Sequence, residues 1–367
     1  MLSSCDQEKL SPSTSSNHIK VEDAPWEKII KKEEKPKSLP APLPTKVKEE
    51  KPSRIRKGFR KGVALGLFVS QRQDPEYEFG IYKKLLKEII STGASDLSIP
   101  LRWVQRDVRS SAIFPDEKVT VSDAMLLRVI REAKSMGLKI FLMPYIFLQK
   151  RGKGEWRGTI NPKDRKGWWA SYRKFIYHYA DIAKQEQVSL FSMGSEIGSM
   201  RDPKEWDLII AHLREELPET ALTYSANWDR FETFSFWSKL DLIGISTYAP
   251  LSKSKNPSLN DLNQGWGGFK HKIKNLRRRF PKKKILFTEV GYSASRSAAK
   301  TPWIHFPEGD VDEDMQALLY TSLLETWSEK TYLEGFYIWN WFGPGGPKDS
   351  GFSPRGKKAE KVLQEWF

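Results

Sequence analysis

At 367 residues, with 39% apolar and 12% aromatic content, the chain is long enough for one large domain or two ordinary ones and for a sizeable core. Its net charge of +15 suits an anionic partner, yet no helix-turn-helix, zinc-finger or RNA-binding aromatic motif accompanies that charge, which argues against nucleic acid. A single cysteine excludes an intramolecular disulfide or a Cys-based zinc site. The five histidines lack metal-ligand spacing, and no run of about 18 apolar residues offers a transmembrane helix.

Residues 1–57 read as a disordered tether. They contain Ser-rich, Lys/Glu-rich and Pro-rich stretches ("SPSTSSNH", "KKEEKPK", "LPAPLPTK") and too little apolar area to offset the entropy of ordering. Within them "MLSSCDQ" resembles a bacterial lipobox, in which Cys5 is lipidated and a polar tether follows. The charged and apolar regions that normally precede such a box do not stand before Leu2, so an incidental cysteine stays open beside a lipid anchor.

From residue 58 onward short apolar runs alternate with amphipathic stretches, which predicts one folded domain over 58–367. The runs are "GVALGLFVS" (62–70), "SDLSIPLRW" (95–103), "KIFLMPYIF" (139–147), "VSLFSMGSE" (188–196), "ALTYSAN" (221–227), "LDLIGISTY" (240–248), "KILFTEVGY" (284–292) and "LEGFYIWNW" (333–341). Between them, "EFGIYKKLLKEIIS" puts Ile81, Leu85 and Ile89 on one stripe. "SDAMLLRVIREAKSMG" opens on a capping Ser122 and stops at Gly137, and "GKKAEKVLQEWF" closes the chain as an eighth helix. Continuous apolar strands, each followed by a helix, predict a (β/α)8 TIM barrel; a doubly wound sheet would usually show a Gly-rich first turn, which "ALGLFVS" is not.

Reactive residues of such a barrel stand at the C-terminal ends of strands. The fourth run ends on Glu196 and the seventh on Glu289, and those strands face each other across the mouth. Two carboxyls about 5 Å apart suit retaining glycoside hydrolysis, in which one protonates the leaving oxygen and the other attacks the sugar carbon. Arg102 at the end of the second run and Tyr248 at the end of the sixth are candidate donors, needed to keep a nucleophilic carboxylate ionised. Trp339 and Trp341 share a pointing parity on the eighth, where a ring can floor a sugar subsite. Loop residues add Trp156, Asn161, Asn227, Trp228, Trp266, Trp303 and His305; rings beside amides suit sugars, although half of these rings are expected to pack helices on the barrel.

These features resemble clan A glycoside hydrolases over about residues 61–367. "GSE", "FTEVGY" and "DSGFSPRGKKAEKVLQEW" look most like glycoside hydrolase family 113, known for endo-β-1,4-mannanases. The resemblance implies Glu196 as acid/base, Glu289 as nucleophile, Arg102 and Tyr248 orienting Glu289, and Trp339 beneath the reacting sugar. It implies no cofactor and an oligo- or polysaccharide substrate. Most clan members carry Asn before the acid/base to hold the sugar 2-hydroxyl; here that place is Ser195. The expected protein is a monomeric, secreted or envelope-bound hydrolase whose only membrane link is the lipid anchor. A non-catalytic glycan-binding lipoprotein and a hydrolase of an envelope polysaccharide are the alternatives.

Three stretches look functional and are read as structural. "GPGGPKDSG" (343–351) lacks the Lys-Ser/Thr ending of a phosphate loop. "EGDVDED" (308–314) lacks EF-hand spacing and suits a helix N-terminus. "RRRFPKKK" (277–284) precedes the seventh strand and so belongs to the bottom of the barrel, as a solvated face or a contact to an anionic surface such as a membrane.

Overall fold

The computed structural model describes residues 53–69, 74–305, 307 and 309–367. The expected tether and Cys5 lie outside the described residues, apart from residues 53–57. Those five are packed on the barrel rather than free: Ile55 is buried, and Ser53 Oγ and the Arg54 N–H both donate to the Trp366 carbonyl. The folded unit therefore begins ahead of the boundary that composition suggests.

Eight parallel strands form the wall in chain order: β1 (Arg60–Ala64), β2 (Asp96–Gln105), β4 (Lys139–Leu148), β5 (Leu190–Ser195), β6 (Ala221–Asn227), β7 (Leu242–Thr247), β8 (Lys284–Val290) and β9 (Leu333–Ile338). Pairing of β1 with both β2 and β9 closes the sheet into a barrel. A two-residue strand, β3 (Ile113–Phe114), pairs antiparallel with the end of β2. Each of the eight apolar runs overlaps the strand expected of it. Several runs overshoot at their C-terminal ends, where the mouth loops are apolar as well.

Helices cover the outside. α1 (Pro75–Ser91) starts on Asp74, whose carboxylate accepts from two backbone N–H groups, with Pro75 at its first turn. α2 (Asp123–Ser135) is capped by Ser122, and Gly137 follows at φ +88°, a left-handed stop that a side chain rarely adopts. α3 (Arg165–Gln185) and α4 (Pro203–Glu216) follow β4 and β5. The β6–β7 connection departs from the alternation: it contains only two 3-10 turns, at 231–233 and 236–239, whose Phe231, Phe236 and Trp237 are buried in place of a helix stripe. The eighth helix arises instead because the next connection holds two, α5 (Leu259–Gly265) and α6 (Gly267–Arg279), before α7 (Glu313–Trp327) and α8 (Lys358–Trp366).

Inside the barrel, Phe141, Met143, Leu190, Leu242, Leu286 and Tyr337 form one cluster, with Trp339 packed on it. Each fully buried side chain of the Leu or Phe kind contributes about 1.5–3 kcal/mol. Most of the tryptophan surplus lies between strands and helices: Trp168, Trp169, Trp206, Trp237, Trp266, Trp327 and Trp341 are all essentially inaccessible. At the bottom of the barrel Asp96 receives hydrogen bonds from Arg60 (2.8 Å), Ser95 (2.8 Å) and Tyr337 (3.4 Å). Among the described residues no helix is long and apolar enough to cross a membrane.

Candidate active site

Both strands that carry the candidate carboxylates are irregular where they reach the mouth. On β8 the register with β7 slips between Ile245 and Ser246, so that Ser246 pairs with Glu289 instead of Thr288. Leu286 points into the barrel core, and Phe287 packs outward on Phe269 and Trp327. Strict alternation would send Glu289 outward after Phe287. The extra residue turns it into the mouth, as bulges beside active sites do. β5 slips likewise between Ser192 and Ser195. There Gly194 sits at φ +152°, and a Cβ would stand 2.1 Å from the Tyr172 hydroxyl, so only glycine fits. Glu196 follows at φ +58°, a left-handed conformation that costs a non-glycine residue about 1 kcal/mol or more.

The two carboxylates converge over β7. Ser246, whose backbone pairs with Glu289, donates its hydroxyl to Glu196 Oε1. The Tyr248 hydroxyl donates to Glu289 Oε2 at 2.9 Å. Arg157 faces Glu196 Oε2 through Nε (3.3 Å) and Nη2 (3.2 Å), with the Tyr145 ring 5.1 Å from its guanidinium carbon. Glu196 and Glu289 are 7% and 4% exposed, so their charges act on each other through little water. Burial first, then the negative charge of Glu196, pushes the Glu289 carboxyl up to about 8; Arg157 and the Tyr248 hydrogen bond act in the opposite direction. The pair thus retains one proton between them well into the neutral range.

Two sequence expectations are corrected. Arg102 does not orient Glu289: its Nε donates to the Val119 carbonyl and its Nη2 to that of Leu67, beside the Phe147 ring. The cation of the site is Arg157. It lies in "GEWRGTINP", where only Trp156 and Asn161 drew attention, on a 3-10 turn (157–159) beyond β4. Trp341 is not a sugar platform. It is buried on the outside of the barrel, and its Nε1 donates to Glu88 of α1 at 3.2 Å. The parity that linked it to Trp339 does not apply, because β9 ends at Ile338.

The other expected residues are placed as follows. Trp339 is half-buried above the core cluster, and its Nε1 has no hydrogen-bond partner among the described residues. Ser195 Oγ is likewise buried without a partner. Asn227 ends β6 half-buried, its Oδ1 accepting weakly from Asp229 N (3.4 Å). Trp228 stacks on Trp303 with ring centroids 6.0 Å apart and planes at 15°, which brings the loops after β6 and β8 together. His305 packs on Phe352, and Phe352 on Tyr248. Trp266 is core, donating to Ser322 between α6 and α7. Asp312, from the acidic stretch, caps α7 by accepting from Met315 N. No cluster of three or more His, Cys, Asp or Glu able to hold a metal occurs among the described residues.

The sequence profile of Glycoside Hydrolase Family 113 matches residues 68–349. Among solved structures, a GH113 β-1,4-mannanase superposes with a TM-score of 0.73 at 25% identity, covering 84% of this chain and 98% of that one. A GH113 β-mannanase of Alicyclobacillus acidocaldarius, in complex with ManMIm, superposes equally well at 24% identity, covering 85% and 98%. A family 5 mannosidase of Rhizomucor miehei shares the fold at 9% identity and a TM-score of 0.56, covering 84% and 92%. A search of curated protein sequences returned no match. The profile spans most of the barrel, including both strands that carry the buried carboxylates: the chain belongs to Glycoside Hydrolase Family 113 and is a mannanase-like glycoside hydrolase.

Proposed function

We propose that the protein hydrolyses β-1,4-mannan or a closely related β-glycan with retention, Glu196 serving as acid/base and Glu289 as nucleophile. The observation that carries this reading is the convergence of two buried carboxylates from the fourth and seventh barrel strands on one pocket of donors, with Tyr248 bonded to Glu289. The mannan preference rests on the family and on the names of its structural relatives.

Double displacement needs Glu289 ionised and the shared proton on Glu196. Arg157 and the Tyr248 hydroxyl both favour the ionised form of Glu289. The proton on Glu196 goes to the leaving oxygen, while Tyr248 keeps its hydrogen bond to the Glu289 carboxylate. Collapse of the glycosyl–Glu289 ester follows when Glu196, now a base, takes a proton from water. Trp339 offers a face beneath the sugar, Trp228 and Trp303 offer a stacked pair farther out, and the unpartnered Ser195 hydroxyl and the Asn227 amide are candidates for sugar hydroxyls.

The test is a product profile on mannans, glucans and envelope polysaccharides beside aryl β-mannoside and β-glucoside, with Glu289→Ala as control. A 2-fluoroglycoside should trap Glu289. An adduct on another residue overturns the role assignment, and binding without turnover, unchanged in the variant, overturns the enzymatic reading. Location is a separate proposal: Cys5, if lipidated, ties the barrel to a cell envelope. Cell fractionation with Cys5→Ser reads it, and release into the soluble fraction is the expected result.

A further inference from the structure

Two stretches of the described chain are purely cationic. Residues 53–61 hold Arg54, Arg56, Lys57, Arg60 and Lys61 with no Asp or Glu, and residues 270–284 hold nine Lys or Arg with none. The first stretch enters β1 and the second enters β8, and β9 lies between those strands. Both meet on the segment that leads into β9. Arg56 donates to the Leu333 carbonyl, Lys284 to that of Thr331, and Arg277 lies 4.1 Å from the centroid of the Tyr332 ring. The cations of 53–61 and 277–284 thus form one field on the bottom face, at the opposite end of the barrel from the carboxylates; Lys272 stands apart from it, beside Trp228 of the mouth loops.

Most of these contacts fix the cations without neutralising them. Lys283 donates to the Leu240 carbonyl and Arg279 to that of Glu232. Arg60 is paired with Asp96. Lys57, Arg278 and Lys282 are exposed. A groove of about 580 Å³ opens between Arg56, Lys57, Arg60, Lys61 and Lys139, with Glu334 as an acidic member of its lining beside Asp96. Half-buried Trp366, Tyr332 and Phe280 stand among the cations; the Arg54 guanidinium lies 5.6 Å from the Trp366 ring centroid. Cations interleaved with aromatics that combine an apolar body and a polar edge match the headgroup region of an anionic bilayer.

We propose that this bottom face docks on an anionic phospholipid bilayer and thereby turns the catalytic mouth away from it. The described chain begins at Ser53 on this same face; with a lipid anchor at Cys5 the basic field would be a second membrane signal, since one acyl chain alone binds only marginally. The inference does not depend on which glycan is cleaved.

The experiment is flotation of the full, unlipidated chain with vesicles of phosphatidylcholine alone or mixed with phosphatidylglycerol. Binding is expected to the mixed vesicles only, and to be lost at high salt. The triple variant Lys57→Glu, Arg278→Glu, Lys282→Glu should reduce partition by about tenfold or more, with hydrolysis of soluble glycans unchanged. Lys57→Gln, Arg278→Gln, Lys282→Gln provides the milder version if charge reversal impairs folding. Lys150→Glu, Lys153→Glu, Lys163→Glu on the mouth loop should leave partition unaltered. The proposal is overturned by absence of binding to the anionic vesicles at low salt, by equal binding to both vesicle types, or by binding that survives the bottom-face variants. Capture by a soluble polyanion without vesicle binding also overturns it, in favour of an anionic polymer. Loss of glycan hydrolysis with intact vesicle binding would instead count against the functional reading above.

Discussion

Asp96 and Glu289 are both buried carboxylates in the same barrel, and both have a tyrosine hydroxyl and an arginine nearby. At the bottom, Asp96 has Arg60 to itself at 2.8 Å, with Ser95 and Tyr337 completing its partners. At the top, Arg157 bonds Glu196 directly and reaches Glu289 only through space, and the two carboxylates oppose each other's charge. The same ingredients give a satisfied ion pair at one end and a frustrated, proton-holding pair at the other. Stability and chemistry are separated along the barrel axis, as the fold in general arranges them.

Five changes probe that contrast, from the largest effect downward. Glu289→Ala should lower kcat by roughly 10⁴-fold or more on mannan, since a nucleophile has no substitute; steady-state assays check it, and an unfolding midpoint no lower than the parent's shows that the loss is chemical. Asp96→Ala should do the reverse. Stranding half-buried Arg60 should cost about 1–3 kcal/mol, measured by denaturant unfolding at pH 7, while kcat of the folded fraction stays within about twofold of the parent. If Asp96→Ala abolishes turnover in folded protein, the separation of the two ends is wrong.

Arg157→Gln should cost about 10–100-fold in kcat/KM. It removes a cation that favours ionised Glu289, so the Glu289 carboxyl rises further and the low-pH limb of the pH–rate profile moves to higher pH. Arg102→Gln should leave that limb in place, because Arg102 bonds to carbonyls at the rim. The smallest effect is on stability. The folded Glu289 carboxyl, raised to about 8, binds a proton that the unfolded one, near its ordinary value of 4.5, has already released. Stability therefore falls as pH rises between those values. Glu289→Gln cannot ionise and should gain about 1–2 kcal/mol over the parent at pH 7, vanishing near pH 4; thermal melts at both pH values test it.

The wall of the barrel was legible because strands covered on both faces must be apolar throughout, and each of the eight runs carries that mark. The helices were legible where a cap stands at one end, as with Ser122 and Gly137. The missing helix after β6 was not legible: Phe231, Phe236 and Trp237 are as apolar as a helix stripe, and only packing distinguishes them. Arg157 escaped notice because it sits in a loop already rich in Lys150, Arg151 and Lys153, with nothing local to single it out. Trp341 misled because alternation was carried past the end of a strand.

The sequence by itself determined the closed barrel, the strand ends that bear Glu196 and Glu289, and the cationic character of the bottom. These follow from local pattern, which each segment carries alone. Only the tertiary structure decided that the carboxylates meet. Glu289 would face the helices by strict alternation, and the extra residue in β8 turns it inward. Glu196 reaches the mouth through Gly194 and its own left-handed backbone. A bulge exists only relative to a neighbouring strand, and a counter-ion only relative to the charge that it faces, so neither can be read from one segment in isolation.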